Sequence, residues 1–276
     1  MNNPVSVIIP TYNRRATIVD SIESVLNQTY KDIEVLVVDD GSVDDTEQVV
    51  NAIVQNVGEC LKYFKLDSNH GTAFARNFGV SKAKYNIIAF NDSDDLWYSE
   101  KLARQVDFLE KNQDCKLVYC AYALKARHED QSFRKTPEVP IDSLESGEST
   151  FLQLLYHNTI GTPTMMLDKE TFLSIGGFDT SLSALEDWDL AVRMSIVGKI
   201  RYLDEILVSV YGGIDEGRMS LSKEKYYKNR CKMLSKYKDV LIECGLLDVY
   251  IQGVMEKATE DAYIEYAKDT LKEYGF

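Results

Sequence analysis

Short runs rich in branched and aromatic residues, Val5–Ile9, Glu34–Val38, Leu61–Leu66 and Asn86–Phe90, alternate with stretches of a longer period. Such runs read as strands of a buried sheet. Between them, Ile18, Ile22, Val25 and Leu26 recur at the spacing of an amphipathic helix, as do Leu102, Val106 and Leu109. Ser42, with Asp45 three residues on, offers a cap-like start for the helix after the second run. The alternation β-α-β-α-β-α-β-α predicts an α/β fold with a mostly parallel sheet, right-handed crossovers and helices on both faces. In such sheets ligands bind beyond the carboxyl ends of the strands.

Farther along, residues 127–149 are polar, with Pro137, Pro140 and Gly147, and read as a loop separating two halves. Thr164–Leu167, Ile200–Leu203 and Ile206–Val210 read as strands and Leu185–Val197 as a helix. From about Ser220 the chain is helical, with Tyr227, Cys231 and Leu234 on one face and Leu247, Ile251, Val254 and Ala258 on another. No apolar stretch approaches the ~20 residues of a membrane span, and MNNPVSVIIP lacks the basic start of a signal peptide. A cytoplasmic protein is expected, with membrane contact limited to the periphery at the inner face.

Composition changes this picture little. Of 276 residues, 45% are hydrophobic and 27% charged, which is ordinary for a globular chain. The formal charge of −13 argues against non-specific nucleic-acid binding, which needs Lys and Arg to neutralise phosphates. Five cysteines, with no CxxC spacing, favour neither a zinc site nor a disulfide framework.

The placement of the acids says more than their total. Pro10-Thr11-Tyr12-Asn13 follows the first strand and Asp39-Asp40-Gly41-Ser42 the second. Asn69-His70-Gly71, then Arg76-Asn77, follow the third, and Asn91-Asp92-Ser93-Asp94-Asp95 the fourth. Each alone is an ordinary turn or helix start. Structural need does not require all of them to converge on one edge of one sheet. The carboxylates at 92, 94 and 95 repel one another unless a cation lies between them, and hard Mg²⁺ or Mn²⁺ takes such oxygen ligands.

Taken in order, VSVIIPTYNR, VLVVDDGSVDDT, NHGTAFARNFGV, IIAFNDSDDLW, GGFD and ALEDWDLAVR resemble an inverting glycosyltransferase of family 2 with the GT-A fold, over roughly residues 4–212. The resemblance implies a GT-A domain over 1–218, its nucleotide-binding half about 1–120 and its acceptor half about 150–218. Residues 219–276 form a C-terminal helical extension that packs on the core, pairs two copies of the chain or touches lipid; packing is favoured.

By the same resemblance Pro10, Thr11, Tyr12 and Asn13 bind the nucleotide of a nucleotide-sugar donor, a UDP-sugar by preference, with Thr11 and Tyr12 lining the base pocket. Asp40 accepts from the uracil N–H, Asp39 supports the turn, and Gly71 lets the backbone approach the ligand. Arg76 faces the nucleotide. Asp92-Ser93-Asp94 matches the family's DxD motif, with Asp92 on the ribose and Asp94 on Mn²⁺ or Mg²⁺. Asp187, of the ED pair Glu186-Asp187, is the implied general base toward a hydroxyl of a saccharide or lipid-linked oligosaccharide in bacterial surface-polysaccharide synthesis. Asp189 and Arg193 suit a helix-surface pair.

Thr162, Trp188 and Arg218 complete the set on the acceptor or loop side, Trp188 reading either as a sugar-stacking ring or as core. Relatives carry a His after the last strand. This chain has none there, and Arg218 is the residue expected to replace its charge. Two other readings compete: a nucleotidyltransferase, disfavoured because PTYNRR has no glycine to cradle phosphates, and a silent binding module, disfavoured because both acid groups are present.

Overall fold

Four strands, β1 (Val5–Thr11), β2 (Ile33–Asp39), β3 (Leu61–Lys65) and β4 (Ile87–Phe90), pair in parallel in the order β3-β2-β1-β4. Every residue of β1 is buried, because α1 (Ile18–Leu26), α2 (Thr46–Val57) and α3 (Thr72–Lys82) cover the sheet. The approach of α3 is close: a Cβ on Gly79 would sit 2.5 Å from Ile8 Cγ2. The strands and α1 follow the hydrophobic pattern, each bound within a residue or two of the runs that predict it; α2 starts later than the expected cap at Ser42, with Asp45 at its N-cap and no side-chain cap bond, because Ser42 Oγ is taken by Asn13 N.

The computed structural model describes residues 3–126, 129–135, 148–156, 158, 160–211 and 222–276. After β4 come β5 (Leu96–Trp97), α4 (Lys101–Lys111), β6 (Cys115–Ala126), β7 (Glu129–Lys135), α5 (Glu148–Tyr156), β8 (Met165–Asp168), α6 (Lys169–Ser174), α7 (Glu186–Val197) and β9 (Lys199–Tyr211). The sheet continues β4-β8-β6-β9-β5. There β8 runs antiparallel to both neighbours and β6 lies parallel to β9.

Two expectations change. Residues 127–149 were expected to form a loop, yet Glu129–Lys135 is a strand, antiparallel to the outer part of β6. Among the described residues it pairs with β6 alone, and an edge strand needs no apolar run. Ile200–Leu203 and Ile206–Val210 are one strand: the register jumps from Cys120↔Leu203 to Ala121↔Ile206, so Asp204 and Glu205 form an irregularity inside β9.

The C-terminal helices α8 (Lys223–Lys236), α9 (Lys238–Glu243), α10 (Leu247–Glu260) and α11 (Ile264–Glu273) follow. Tyr227, Cys231, Leu234, Val254 and Ala258 share one apolar cluster with Phe151 and Leu154 of α5 and Trp188 and Leu190 of α7. The tail's apolar faces are thus turned onto the chain's own core. The expected boundary at 218 lies outside the described residues. All five cysteines are free thiols, and among the described residues no helix is long and apolar enough to cross a membrane.

Candidate active site

The loops after β1 and β2 are stitched together. Asn13 sits at φ +51°, a left-handed conformation that Asn tolerates. Its backbone N–H donates to Ser42 Oγ at 2.8 Å, and its Oδ1 accepts from Val43 N at 2.9 Å. Asp39 accepts from Ser42 N at 2.7 Å and from the Tyr63 hydroxyl, the turn-supporting place expected of it. Asp40 Oδ1 and Oδ2 accept from the backbone N–H groups of His70 and Gly71, each at 2.8 Å. This carboxylate therefore ties the loop after β3 to the end of β2. Thr11 Oγ1 is buried with no hydrogen-bond partner among the described residues, whereas Tyr12 is 43% exposed.

Arg76, on α3 and only 4% exposed, joins the two acid groups. One guanidinium nitrogen lies 2.7 Å from Asp92 Oδ1 and another 2.7 Å from Glu186 Oε1. Burial alone would disfavour its charge, but Asp92 and Glu186 more than offset this and hold it protonated. Nearby, Asp94 Oδ2 lies 3.6 Å from the Arg14 guanidinium. Asp95 Oδ1 accepts from Tyr211 N at 3.1 Å, which fastens the loop after β4 to the end of β9. The Ser93 carbonyl accepts from Thr17 Oγ1 at 2.7 Å.

The acid pair opens α7. Leu185, just before it, is held at φ +64°, a conformation that costs a side-chain-bearing residue energy and survives only where its surroundings enforce it. Asp187 Oδ1 accepts from Trp188 N at 2.7 Å. Half-buried, Asp187 has its pKa pushed up to about 7, first by desolvation and then by the neighbouring Glu186 charge, against the pull of Arg76. The Gly177-Phe178 turn leading to this helix is clasped by Asn77, whose Nδ2 donates to Phe178 O at 2.8 Å and whose Oδ1 accepts from Phe178 N at 2.9 Å.

Three further residues named from the sequence are buried. Trp188 is buried, with its Nε1 on Leu154 O and the Arg230 guanidinium 3.9 Å from its ring centroid. Its faces are occupied by protein, so it does not stack on a sugar. Asp189 is not a surface partner of Arg193: it is fully buried and also accepts from Lys236 Nζ at 2.7 Å and Tyr237 Oη at 2.9 Å. It points toward the tail, away from Asp187. Thr162 is buried, and the next residue ties the turn inward, Pro163 O accepting from Trp97 Nε1 at 3.1 Å. Arg218 lies outside the described residues. The sequence reading assigned no part to Arg14 or Asn77, although both stand inside the quoted motifs, one residue past Asn13 and one past Arg76.

A divalent ion can be tested against these side chains. Among the described residues no three His, Cys, Asp or Glu side chains gather closely enough to hold a metal by themselves. Mg²⁺ commonly takes only one or two carboxylates and completes its shell with water and substrate phosphates. Asp94, a hard oxygen donor on the loop after β4, fits an ion on those terms.

Comparison with known proteins gives the class by its fold, the GT-A fold. Residues 6–170 match the model for glycosyl transferase family 2, and the chain belongs to that family. It is 35% identical to an uncharacterized glycosyltransferase of Rickettsia typhi over 208 residues, covering 74% of this chain but 62% of that one. In two further Rickettsia relatives the match spans 33% and 42% of their length. The Escherichia coli UDP-Glc:alpha-D-GlcNAc-diphosphoundecaprenol beta-1,3-glucosyltransferase WfaP is 32% identical, over 80% of this chain and 81% of its own. Among solved structures, Staphylococcus aureus TarS 1–349 in complex with UDP-GlcNAc aligns at TM-score 0.66 with 20% identity, covering 98% and 91%. The Pyrobaculum calidifontis mannosyltransferase PcManGT in complex with GDP-Man and Mn²⁺ aligns at 0.62 with 19% identity, covering 98% and 74%. At such identities these two speak for the fold.

Proposed function

We propose that the protein transfers a hexose from a UDP-sugar to a hydroxyl of a lipid-linked saccharide, with inversion at the anomeric carbon, during synthesis of a bacterial polysaccharide. The observation that carries this is the Arg76 bridge. A single buried guanidinium joins Asp92, on the strand-end loop, to Glu186, beside the candidate base. Donor and acceptor functions are thereby brought within one side chain's reach.

The geometry supports a division of labour. Asp40 holds the 70–71 loop, and each of its oxygens keeps a second lone pair for a uracil N–H. Thr11 Oγ1, buried and unpaired, gains a partner from a bound nucleoside. Asp92 faces the ribose while Arg76 fixes its orientation. Asp94 would hold Mn²⁺ or Mg²⁺, which when bound stabilises negative charge on the leaving diphosphate. Asp187, with a pKa near neutrality, is matched to removing the acceptor hydroxyl's proton. The hydroxyl attacks in line, so one displacement turns an α-linked donor into a β-glycoside. The name of the WfaP relative, with its UDP-Glc donor and diphosphoundecaprenol acceptor, supports the same donor and acceptor classes here.

A panel of UDP-, GDP- and dTDP-sugars with Mn²⁺, read by release of nucleoside diphosphate and by the anomeric coupling constant of the product, tests the reading. Turnover of a UDP-hexose to a β-linked product is expected. Preference for a GDP-sugar, or retention of configuration, contradicts it.

A further inference from the structure

The last carbonyls of a helix have no partner within it. At the end of α5 they are taken up by side chains from α7 and the tail. Leu154 O accepts from Trp188 Nε1, and Arg230 of α8 donates to Leu155 O at 2.8 Å and to Tyr156 O at 3.2 Å. Arg230 is 4% exposed, and among the described residues no carboxylate pairs with it. Its charge rests instead on the negative end of α5 and on the face of Trp188, 3.9 Å away. Burial lowers its pKa to about 10, which leaves it charged at neutral pH.

The rest of α8 holds the segment around the acid pair. Asn229 Oδ1 accepts from Ser183 N and its Nδ2 donates to Ser183 Oγ, both at 3.1 Å. Lys232 donates to Ser181 O at 2.7 Å. Lys236 reaches Asp179 at 3.1 Å and Asp189 at 2.7 Å. These contacts fall on both sides of Glu186-Asp187, at 179–183 and at 188–189, and none is made to the pair itself.

We infer that Arg230 is a positioning residue: by clamping Trp188 against the end of α5, it sets the direction of the adjacent Asp187 carboxylate. The inference rests on the reading of Asp187 as the base. Trp188 is the residue whose backbone N–H donates to Asp187 Oδ1, and the left-handed Leu185 before the pair needs outside contacts to persist. A shift of the indole therefore moves the carboxylate. The charged groups bearing most on Asp187 are Glu186, Arg76 and Asp92; Arg230 meets the indole of the next residue.

The experiment compares Arg230→Met, Arg230→Lys and Asp187→Asn with the parent for UDP affinity, kcat, donor KM and the pH profile of kcat/KM. Arg230→Met is expected to keep UDP affinity and donor KM while kcat falls on the order of ten- to a hundred-fold, the scale of a small misplacement of a reacting group. Its acid limb moves down from near 7 as water reaches the displaced carboxylate, and Arg230→Lys restores part of both. If Arg230→Met keeps the parental kcat and acid limb while Asp187→Asn is inactive, the inference fails and the base assignment stands. Full transfer by Asp187→Asn sinks the base assignment whatever Arg230 does. Should Arg230→Met fail to fold, Arg230→Lys decides: lowered kcat with a shifted limb supports positioning, and parental values of both overturn it.

Discussion

Arg76 carries more of the site than any other side chain. Removing it leaves Glu186 buried without its cation and takes away the positive charge that restrains the Asp187 pKa. The sign follows directly. Asp187 is raised, so below about pH 7 it holds a proton and is no base; without Arg76 it is raised further. Arg76→Met is therefore expected to move the acid limb of kcat/KM above that of the parent, so activity is lost at a higher pH as pH falls. A pH–rate profile of the two enzymes checks this, and a limb that stays put or moves down argues against the electrostatic role. Breaking a buried pair this way also costs about 3–5 kcal/mol, readable by urea unfolding. Arg76 was legible only through the family resemblance, as an expected nucleotide-facing cation. Its second partner, Glu186, was not, because 110 residues separate the two and local spacing holds no record of such a contact.

At the scale of elements, the loops rather than the strands decide the site. The parallel strands are legible because burial on both faces demands near-continuous apolar runs, and β1, β2 and β4 have them. Strand β7 was not, since an edge strand keeps no such record. The left-handed positions are legible only where glycine marks them. Gly71, at φ +94°, presents its N–H to Asp40 and starts α3. A Cβ there meets nothing within 4 Å, so Gly71→Ala is penalised by the backbone alone, by about 1–2 kcal/mol. Calorimetry of UDP binding should show weakened affinity for this variant with kcat at saturating donor largely kept. Unchanged affinity would detach the 70–71 loop from the nucleotide site.

Across the whole molecule, the charge of −13 proves less telling than where the acids lie. Asp39 and Asp40 hold turns, Asp92 and Glu186 share Arg76, Asp95 fastens β9, and Asp189 is a buried anchor for the tail. Asp187 is left as the acid pushed toward neutrality. The tail's helices were legible from their apolar spacing, but their grip on α7 was not: Arg230, Lys232 and Lys236 lie beside the apolar positions that set the period, and only the fold shows what they meet. The account's central claim is that Asp187 accepts the acceptor's proton at a site whose donor half is built separately. Measuring transfer rate and UDP affinity of Asp187→Asn side by side tests it most directly. The account predicts UDP bound as tightly as by the parent and transfer slowed by roughly 10²–10⁴-fold, the usual contribution of a general base; parental transfer with parental binding would contradict it.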